Sequence, residues 1–506
     1  MVSWMASVLV RFPGRILAGF IVLHTVIFAA IALLCPSTLP LDVIEQIGWA
    51  RDPQWVYFKH PPGPAWVLHG LLTLSGQRLW PAAIVGPVCV GLSFWITWLL
   101  ARRLLDPVRA TLAVLLLEGV RYVNFSSLEF NHNLIQMPLW SAIALFGHRA
   151  WRSDRWFDWI ALGVFCGLGM YGKYSSILLI AAVIAALATD AEARRRFGGF
   201  GPWLGLAAAV ATILPHLRAL YRIDFRPFWY PMERAAPPAD WFDHVRNPLL
   251  WSGGQLANVA CLLILFLLLV PIRRTSGTTA VPAHAVETED RRYVYWIAFG
   301  PVIATVILGI VGGRALKEMW GAPMPGFLGL ALMAASAGRG IDVQSLRRFW
   351  PAFAAVLVLA TTITAVNASA SPWIFGKGDR AHFPARALDA AVRGGWTRLS
   401  GDRPMRIVIA DSWLAGLLSA YDVDHPSVMI DGDREKSPWI GERRLAEDGA
   451  VILWRADREQ PDANDLAGRF PGSLRQPPLT LPYDTKFRVP PVTIGWAILP
   501  PRSEPR

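Results

Sequence analysis

Apolar runs of membrane-crossing length recur along the first three quarters of the chain, separated by short polar connections. They fall near 16–34, 78–100, 109–126, 133–148, 156–171, 174–189, 201–217, 251–271, 294–312, 322–338 and 350–368. A helix needs about twenty apolar residues to cross the hydrocarbon core of a bilayer, so the pattern predicts a polytopic α-helical membrane protein of about eleven spans. The run 109–126 is the least regular, with Glu118 and Arg121 towards its far end. From about Asp379 the period changes. Arg406–Asp411 is a β-branched run ending in a turn residue, Ser412–Tyr421 reads as a helix and Ala450–Trp454 as another strand. The predicted organisation is a transmembrane domain over 1–370, with larger external loops at 35–77 and 218–250, and a small α/β accessory domain over 371–506.

Loop charge gives this pattern an orientation. Arginines occupy alternate connections: Arg11/Arg15, Arg102/Arg103, Arg149/Arg152/Arg155, Arg194–Arg196, Arg273/Arg274 with Arg291/Arg292, and Arg347/Arg348. The positive-inside rule assigns those connections to the cytoplasm. The N-terminus is then cytoplasmic. Segments 35–77, 127–132, 172–173, 218–250, 313–321 and everything after about Ser369 face outward.

Composition narrows the class further. With 54% hydrophobic residues and 24 Trp and a mean hydropathy of +0.36, the chain is too apolar for an ordinary soluble enzyme. The formal charge of +12 does not point to nucleic acid, because the stretch from Ser369 onward carries 19 Lys/Arg against 18 Asp/Glu. The excess lies in the membrane part, where it bears on topology and on membrane-surface anions. Cys35, Cys89, Cys166 and Cys261 all lie in or beside apolar runs, so no disulfide framework is implied. The first run, Ile16–Leu34, is longer than a signal-peptide core and reads as an uncleaved anchor.

The chemistry concentrates in Leu41–Trp66, just beyond the first span. Asp42 and Glu45 are three residues apart, so a helix puts both on one face. Asp42 alone also suits a helix cap or first-turn acid, and Asp52 before Pro53 suits a turn. Lys59-His60-Pro61-Pro62 follows, with the proline pair fixing how the two basic residues are presented. Transfer of a sugar from a lipid phosphate needs a base for the acceptor hydroxyl and cations for the leaving phosphate, and this segment holds both. Further cations on the external side, Lys173, Arg314 and Lys317, are exceptions to the charge rule and candidates for a bound anion. The aromatic-rich 218–250 loop reads equally as an interfacial belt or as a cap over a site. Asp411, at the end of a strand, reads as a helix cap.

The order Asp42…Glu45…Trp49…Tyr57-Phe58-Lys59-His60-Pro61-Pro62…Ala65-Trp66 resembles the first external loop of the bacterial glycosyltransferase family 39, or protein-mannosyltransferase-like, branch of the GT-C superfamily. Aminoarabinose–lipid A transferases belong to its wider circle. Glu129-Phe130-Asn131-His132-Asn133 resembles the second external motif, Gly172-Lys173-Tyr174-Ser175 the short lysine turn, and Lys317–Met324 a later external loop. The resemblance covers roughly 10–370. It implies a polyprenyl-phosphate sugar donor, an envelope lipid, glycan or protein acceptor, an external active site and usually inversion at the anomeric carbon. By that resemblance Asp42, with Glu45 as the second candidate, is catalytic. Lys59, His60, Lys173, Arg314 and Lys317 are the phosphate-binding set, and Glu129, Asn131, Asn133 and Trp320 belong to the acceptor or sugar pocket. The chain departs from its relatives in having Val43 rather than Glu beside the acid, His60 rather than Lys beside the prolines, and Asn133 where Asp is common.

No cofactor is called for. A divalent-cation site at His60 and His132 with Glu45 or Glu129 is the minority alternative, since two histidines on different loops are more often hydrogen-bonded or interfacial. The rival function is a transporter or flippase of a lipid-linked or anionic substrate. Transporters place charges near the bilayer midplane and carry internal repeats, whereas here the unusual charges gather on one external side and no repeat is visible.

Overall fold

The computed structural model describes residues 2–270, 279–457 and 466–502. Arg273 and Arg274, used in the topology argument, lie outside them. Among the described residues, six helices are long and apolar enough to cross a bilayer: Pro13–Leu34, Trp80–Leu104, Gly201–Arg222, Asp243–Leu269, Thr288–Gly312 and Val343–Phe375. The protein is a multi-pass membrane protein. Helices also occupy the expected runs at His132–Ser153, Trp156–Gly172 and Ser176–Ala188.

Two of the expected spans are broken. The run 109–126 divides into helix Pro107–Leu115, a 3-10 turn Leu116–Gly119 and a short helix Arg121–Asn124. The break has two packing causes. Glu118 turns inward to meet His24 at 2.9 Å, with both side chains fully buried, and a charge at such depth needs a partner. Gly119 lies against the backbone of helix Asp243–Leu269, where a Cβ would fall 2.3 Å from the Leu262 nitrogen. The run 322–338 likewise splits into a 3-10 turn Met324–Phe327 and helix Leu328–Ser336. At 1.5 Å per residue that helix is roughly 14 Å long, too short to cross by itself.

The chain gathers into two compact units, which do not follow a division at residue 370. The first comprises 1–29, 85–128 and 132–364; the second comprises 30–84, 129–131 and 365–506. In the first, several arginines of the connecting segments are paired. Arg152 reaches Asp290 at 2.7 Å and Glu287 at 2.6 Å, Arg149 meets the buried Asp158 at 2.8 Å, and Arg292 meets Asp190 at 2.6 Å. Asp106 caps helix Pro107–Leu115 by accepting from the Val108 and Arg109 amides. The buried Arg109 guanidinium donates to the Pro282 and Arg339 carbonyls, which flank the small antiparallel pair β1 (Thr279–Val281) and β2 (Ile341–Asp342). Helices Trp156–Gly172 and Gly201–Arg222 approach through small residues. A Cβ on Gly163 would lie 2.0 Å from the Gly205 carbonyl oxygen, the close contact by which helices pack in lipid.

The second unit is built on a five-stranded sheet of order β4-β3-β5-β7-β6. Strands β3 (Ile407–Ala410), β4 (Ser427–Ile430) and β5 (Ala450–Arg455) run parallel. The outer pair, β6 (Leu474–Leu481) and β7 (Val492–Leu499), is antiparallel. Every residue of β3 and β4 is buried, as covered parallel strands require. The sheet is larger than the two strand segments read from the sequence at Arg406–Asp411 and Ala450–Trp454. Helix Ser412–Tyr421 follows β3, and Asp411 caps it by accepting from the Trp413 and Leu414 amides at 3.0 and 3.1 Å. Helix Leu41–Ala50, from the first external loop, packs against this helix. A Cβ on Gly416 would come 2.8 Å from the Ile44 carbonyl oxygen. The segment carrying the candidate acids is thus part of the α/β unit.

Gly163→Val should force the two close helices apart at a cost of about 1–3 kcal/mol, read as a lower melting temperature of the detergent-solubilised protein. Gly19→Ala, at a position with no atom within 4 Å of the new Cβ, should leave melting unchanged.

Candidate active site

Helix Leu41–Ala50 starts after Pro40, whose φ of −58° and ψ of 159° end the preceding extended segment and which supplies no side-chain cap. The free amides of the first turn therefore need an acceptor from elsewhere. Glu129 provides it: its Oε1 accepts from the Asp42 N–H at 3.2 Å. Asn131, two residues on, donates through Nδ2 to Asp42 Oδ2 at 2.8 Å. Asp42 is a first-turn acid, not a cap. Its carboxylate is held by an amide donor at the positive end of a helix, beside a second carboxyl.

Burial, and next the charge of Asp42, push the Glu129 carboxyl from its ordinary value of 4.5 up to about 7; the bond from the Asp42 amide and the charge of Arg380 oppose this. Two acids this close do not both ionise readily. With Glu129 keeping a proton up to about neutral pH, the charge rests on Asp42.

Glu45, one turn on, is buried and pairs with Lys59 at 2.7 Å. The Lys59 ammonium also lies 5.6 Å from the Trp49 ring and 5.7 Å from that of Phe58. Trp49 and Tyr57 stack at 4.6 Å, and the Tyr57 hydroxyl donates to the Trp49 carbonyl at 2.9 Å. That buried phenol is pushed well above its ordinary range by desolvation. The Tyr57 amide donates to the His60 carbonyl, which closes the turn before Pro61-Pro62 and helix Gly63–Leu74. The His60 ring stands 6.3 Å from that of Trp49.

The remaining sequence candidates belong to the membrane unit. Lys173, in the turn between helices Trp156–Gly172 and Ser176–Ala188, donates to Asn133 Oδ1 at 2.6 Å; Asn133 is buried near the start of helix His132–Ser153. Arg314 donates to the Met232 and Ala235 carbonyls at 2.6 and 2.9 Å, which pins the 218–250 loop. Lys317 is exposed, and its carbonyl accepts from the Trp320 amide and the Trp251 indole. The structure thus brings together Asp42, Glu129 and Asn131, pairs Glu45 with Lys59, and pairs Lys173 with Asn133. Sequence reasoning missed Glu318. Its carboxylate takes Arg121 at 3.1 Å and Asn258 at 2.7 Å, and its carbonyl takes Tyr122 and Gln255. Adjacency to Lys317 was the one available signal. Among the described residues no group of three or more His, Cys, Asp or Glu side chains is arranged to hold a metal ion.

The chain is similar to several known proteins. Residues 59–218 match the family described as dolichyl-phosphate-mannose-protein mannosyltransferase. The lipopolysaccharide core galacturonosyltransferase RgtA of Rhizobium johnstonii is 22% identical over 475 residues, covering 92% of this chain and 91% of that protein. An undecaprenyl phosphate-alpha-4-amino-4-deoxy-L-arabinose arabinosyl transferase of Pseudomonas fluorescens is 28% identical over 48% of this chain and 46% of that one. The fold matches the crystal structure of ArnT from Cupriavidus metallidurans with a TM-score of 0.59 and 12% identity, over 96% of this chain and 98% of that one. Over most of its length the chain is thus similar to proteins named as glycosyltransferases. The chain keeps its candidate acid in the first turn of a helix whose N-terminus is held by the Glu129 and Asn131 side chains.

Replacing Glu129 tests the carboxyl pair. Its raised pKa means that the folded state holds a proton between about pH 4.5 and 7 that the unfolded state has released. The corresponding stability is full below that window and is lost as pH rises through about 7. Thermal melting across pH 4–8 should show this fall for the wild type, and Glu129→Gln should make it shallower, leaving the share of Asp389, whose carboxyl burial and Asp422 also push up to about 7.

Proposed function

We propose that the protein transfers a sugar from a polyprenyl-phosphate donor to an acceptor hydroxyl of the cell envelope, at the periplasmic face of the bacterial inner membrane. The acceptor is lipid A, another envelope glycan, a lipid or a protein. The observation that carries this reading is Asp42, oriented by Asn131 and adjoined by a carboxyl that keeps its proton to about pH 7. Asp42 is the general base. It takes the acceptor's hydroxyl proton as that oxygen attacks the anomeric carbon. The bond from that carbon to the phosphate oxygen breaks, and the electron pair leaves on the polyprenyl phosphate. Attack opposite the leaving group inverts the anomeric centre. Glu45 is the second candidate, but its ion pair with Lys59 favours Asp42.

The leaving phosphate needs cations. Lys59, His60, Lys173 and Lys317 are assigned to it, and Arg314, already donating to two carbonyls, serves the loop as much as the phosphate. Glu129, Asn131, Asn133 and Trp320 belong to the sugar or acceptor pocket. Two features of the relatives support the donor class. ArnT has been solved bound to undecaprenyl phosphate, and the arabinosyl transferase is named for its undecaprenyl-phosphate sugar. The sugars in the relatives' names differ in charge, since galacturonic acid carries a carboxylate and aminoarabinose an amine. For topology, the arginine-rich connections are assigned to the cytoplasm, with about eleven spans and the α/β region outside.

Asp42→Asn should lower transfer from a radiolabelled polyprenyl-phosphate sugar by about 10²-fold or more, with melting and membrane insertion retained. Glu45→Gln should lose less. The reverse order would reassign the base to Glu45.

A further inference from the structure

The second unit holds a cation that the proposed chemistry does not use. Residues Arg380–His382 form a 3-10 turn, fixed by Asp379, which accepts from the His382 amide and ring. This turn is tied to the segment just before helix Leu41–Ala50. The Ser37 and Thr38 amides donate to the Ala381 carbonyl at 2.9 and 3.1 Å, and the Thr38 hydroxyl donates to the Phe383 carbonyl at 2.7 Å. Arg380 is thereby held beside the N-terminus that presents Asp42.

Its guanidinium lies 5.4 Å from the ring centre of Trp413. That indole is buried and braced edge-on by Phe383 at 4.8 Å. The Arg380 residue itself is exposed. Stacking on an aromatic face fixes the guanidinium plane while leaving its N–H edge available for a planar, bidentate acceptor.

Several other cations of the second unit are already matched. Lys59 pairs with Glu45, Lys436 with Asp431, and Arg444 with Asp52. Among the described residues no carboxylate lies within ion-pair distance of Arg380. The acids that feel its charge, Glu129 and Asp411, have other partners: Glu129 takes the Asp42 amide, and Asp411 the amides of helix Ser412–Tyr421.

We infer that Arg380 is a specificity-determining residue that binds a carboxylate carried by a substrate, either the transferred sugar or the acceptor glycan next to the accepting hydroxyl. The juxtaposition is a guanidinium over an aromatic ring, with no carboxylate within ion-pair distance among the described residues, on the turn that flanks the Asp42 helix. The assignment rests on the glycosyl-transfer reading and refines it. Donor phosphate is met by other residues, and Arg380 selects the charge of what is transferred or of what receives it.

The test uses full-length purified protein in nanodiscs, with two arms. In the first, polyprenyl-phosphate donors carrying a uronic acid or the corresponding neutral hexose are compared with one acceptor. In the second, acceptors with and without an acidic sugar are compared with one donor. The wild type should prefer the carboxylate-bearing substrate by about tenfold or more in kcat/KM in one arm, which identifies the source of the carboxylate. Arg380→Gln should erase that preference, chiefly through KM, and Arg380→Lys should keep part of it. Melting of both variants checks folding. Should Arg380→Gln be unfolded, a reduced or lost preference in Arg380→Lys decides for the assignment and full wild-type preference decides against it. Unchanged preference in both arms, or an equal loss on all substrates, would overturn the role of Arg380 while leaving glycosyl transfer standing. A wild type that moves sugar from no polyprenyl-phosphate donor would overturn the transfer reading and this assignment with it.

Discussion

The bond from the Asp42 amide to Glu129 is the constraint on which the candidate site depends. Helix Leu41–Ala50 begins after a proline that offers no cap, so its first turn must borrow an acceptor. The chain borrows a carboxyl from residue 129. That choice puts two acids at one helix terminus, partly out of water. Their proximity raises the Glu129 pKa and leaves the positive helix end to favour charge on Asp42. The same contact carries Asn131 to within 2.8 Å of the Asp42 carboxylate. Cap, charge and orientation follow from one long-range contact spanning 87 positions.

The α/β region is part of this arrangement. Arg51, at the end of the same helix, donates to the Ser419 carbonyl at 3.0 Å, contacts His425 at 3.1 Å and bonds to Gln77. Desolvation lowers its pKa to about 10, against the charge of Asp52, which raises it. The guanidinium still stays charged at any physiological pH. His425 is pushed below its ordinary value, first by burial and then by the Arg51 charge, so it meets Arg51 as a neutral ring. Both ends of the helix are therefore fixed within the second unit: one by Glu129 and the turn at Arg380, the other by Arg51 and helix Ser412–Tyr421. A base that must hold its position against a moving lipid substrate gains from such double support.

The helical, membrane-spanning class was legible because apolar runs of bridging length announce themselves. So was Asp411 as a cap, since a strand-ending acid before a helix has one common use. The broken runs at 109–126 and 322–338 were not legible. The inward turn of Glu118 depends on His24, and the approach at Gly119 depends on Leu262, both far away in sequence. The outer strands β6 and β7 were missed because β6 carries Pro477 and Pro478 and alternates largely exposed positions, which weakens any strand signal. At the site, the motif order located Asp42, Glu45 and Lys59. It could not show that Glu45 is matched by Lys59, nor that Glu129 is the partner of Asp42.

Ion pairing therefore sorts residues that composition leaves equal. Asp42 and Glu45 are both acids on one helix, one turn apart. One faces an ammonium at 2.7 Å and the other an amide donor at 2.8 Å. The ammonium ties the Glu45 carboxylate into an ion pair within the loop, whereas the Asn131 amide orients that of Asp42. The proposed base is the acid that is oriented in this way beside a second carboxyl. The same reasoning separates the cations. Lys59 is held in an ion pair with Glu45, whereas the Arg380 guanidinium lies over the Trp413 ring, with no carboxylate within ion-pair distance among the described residues.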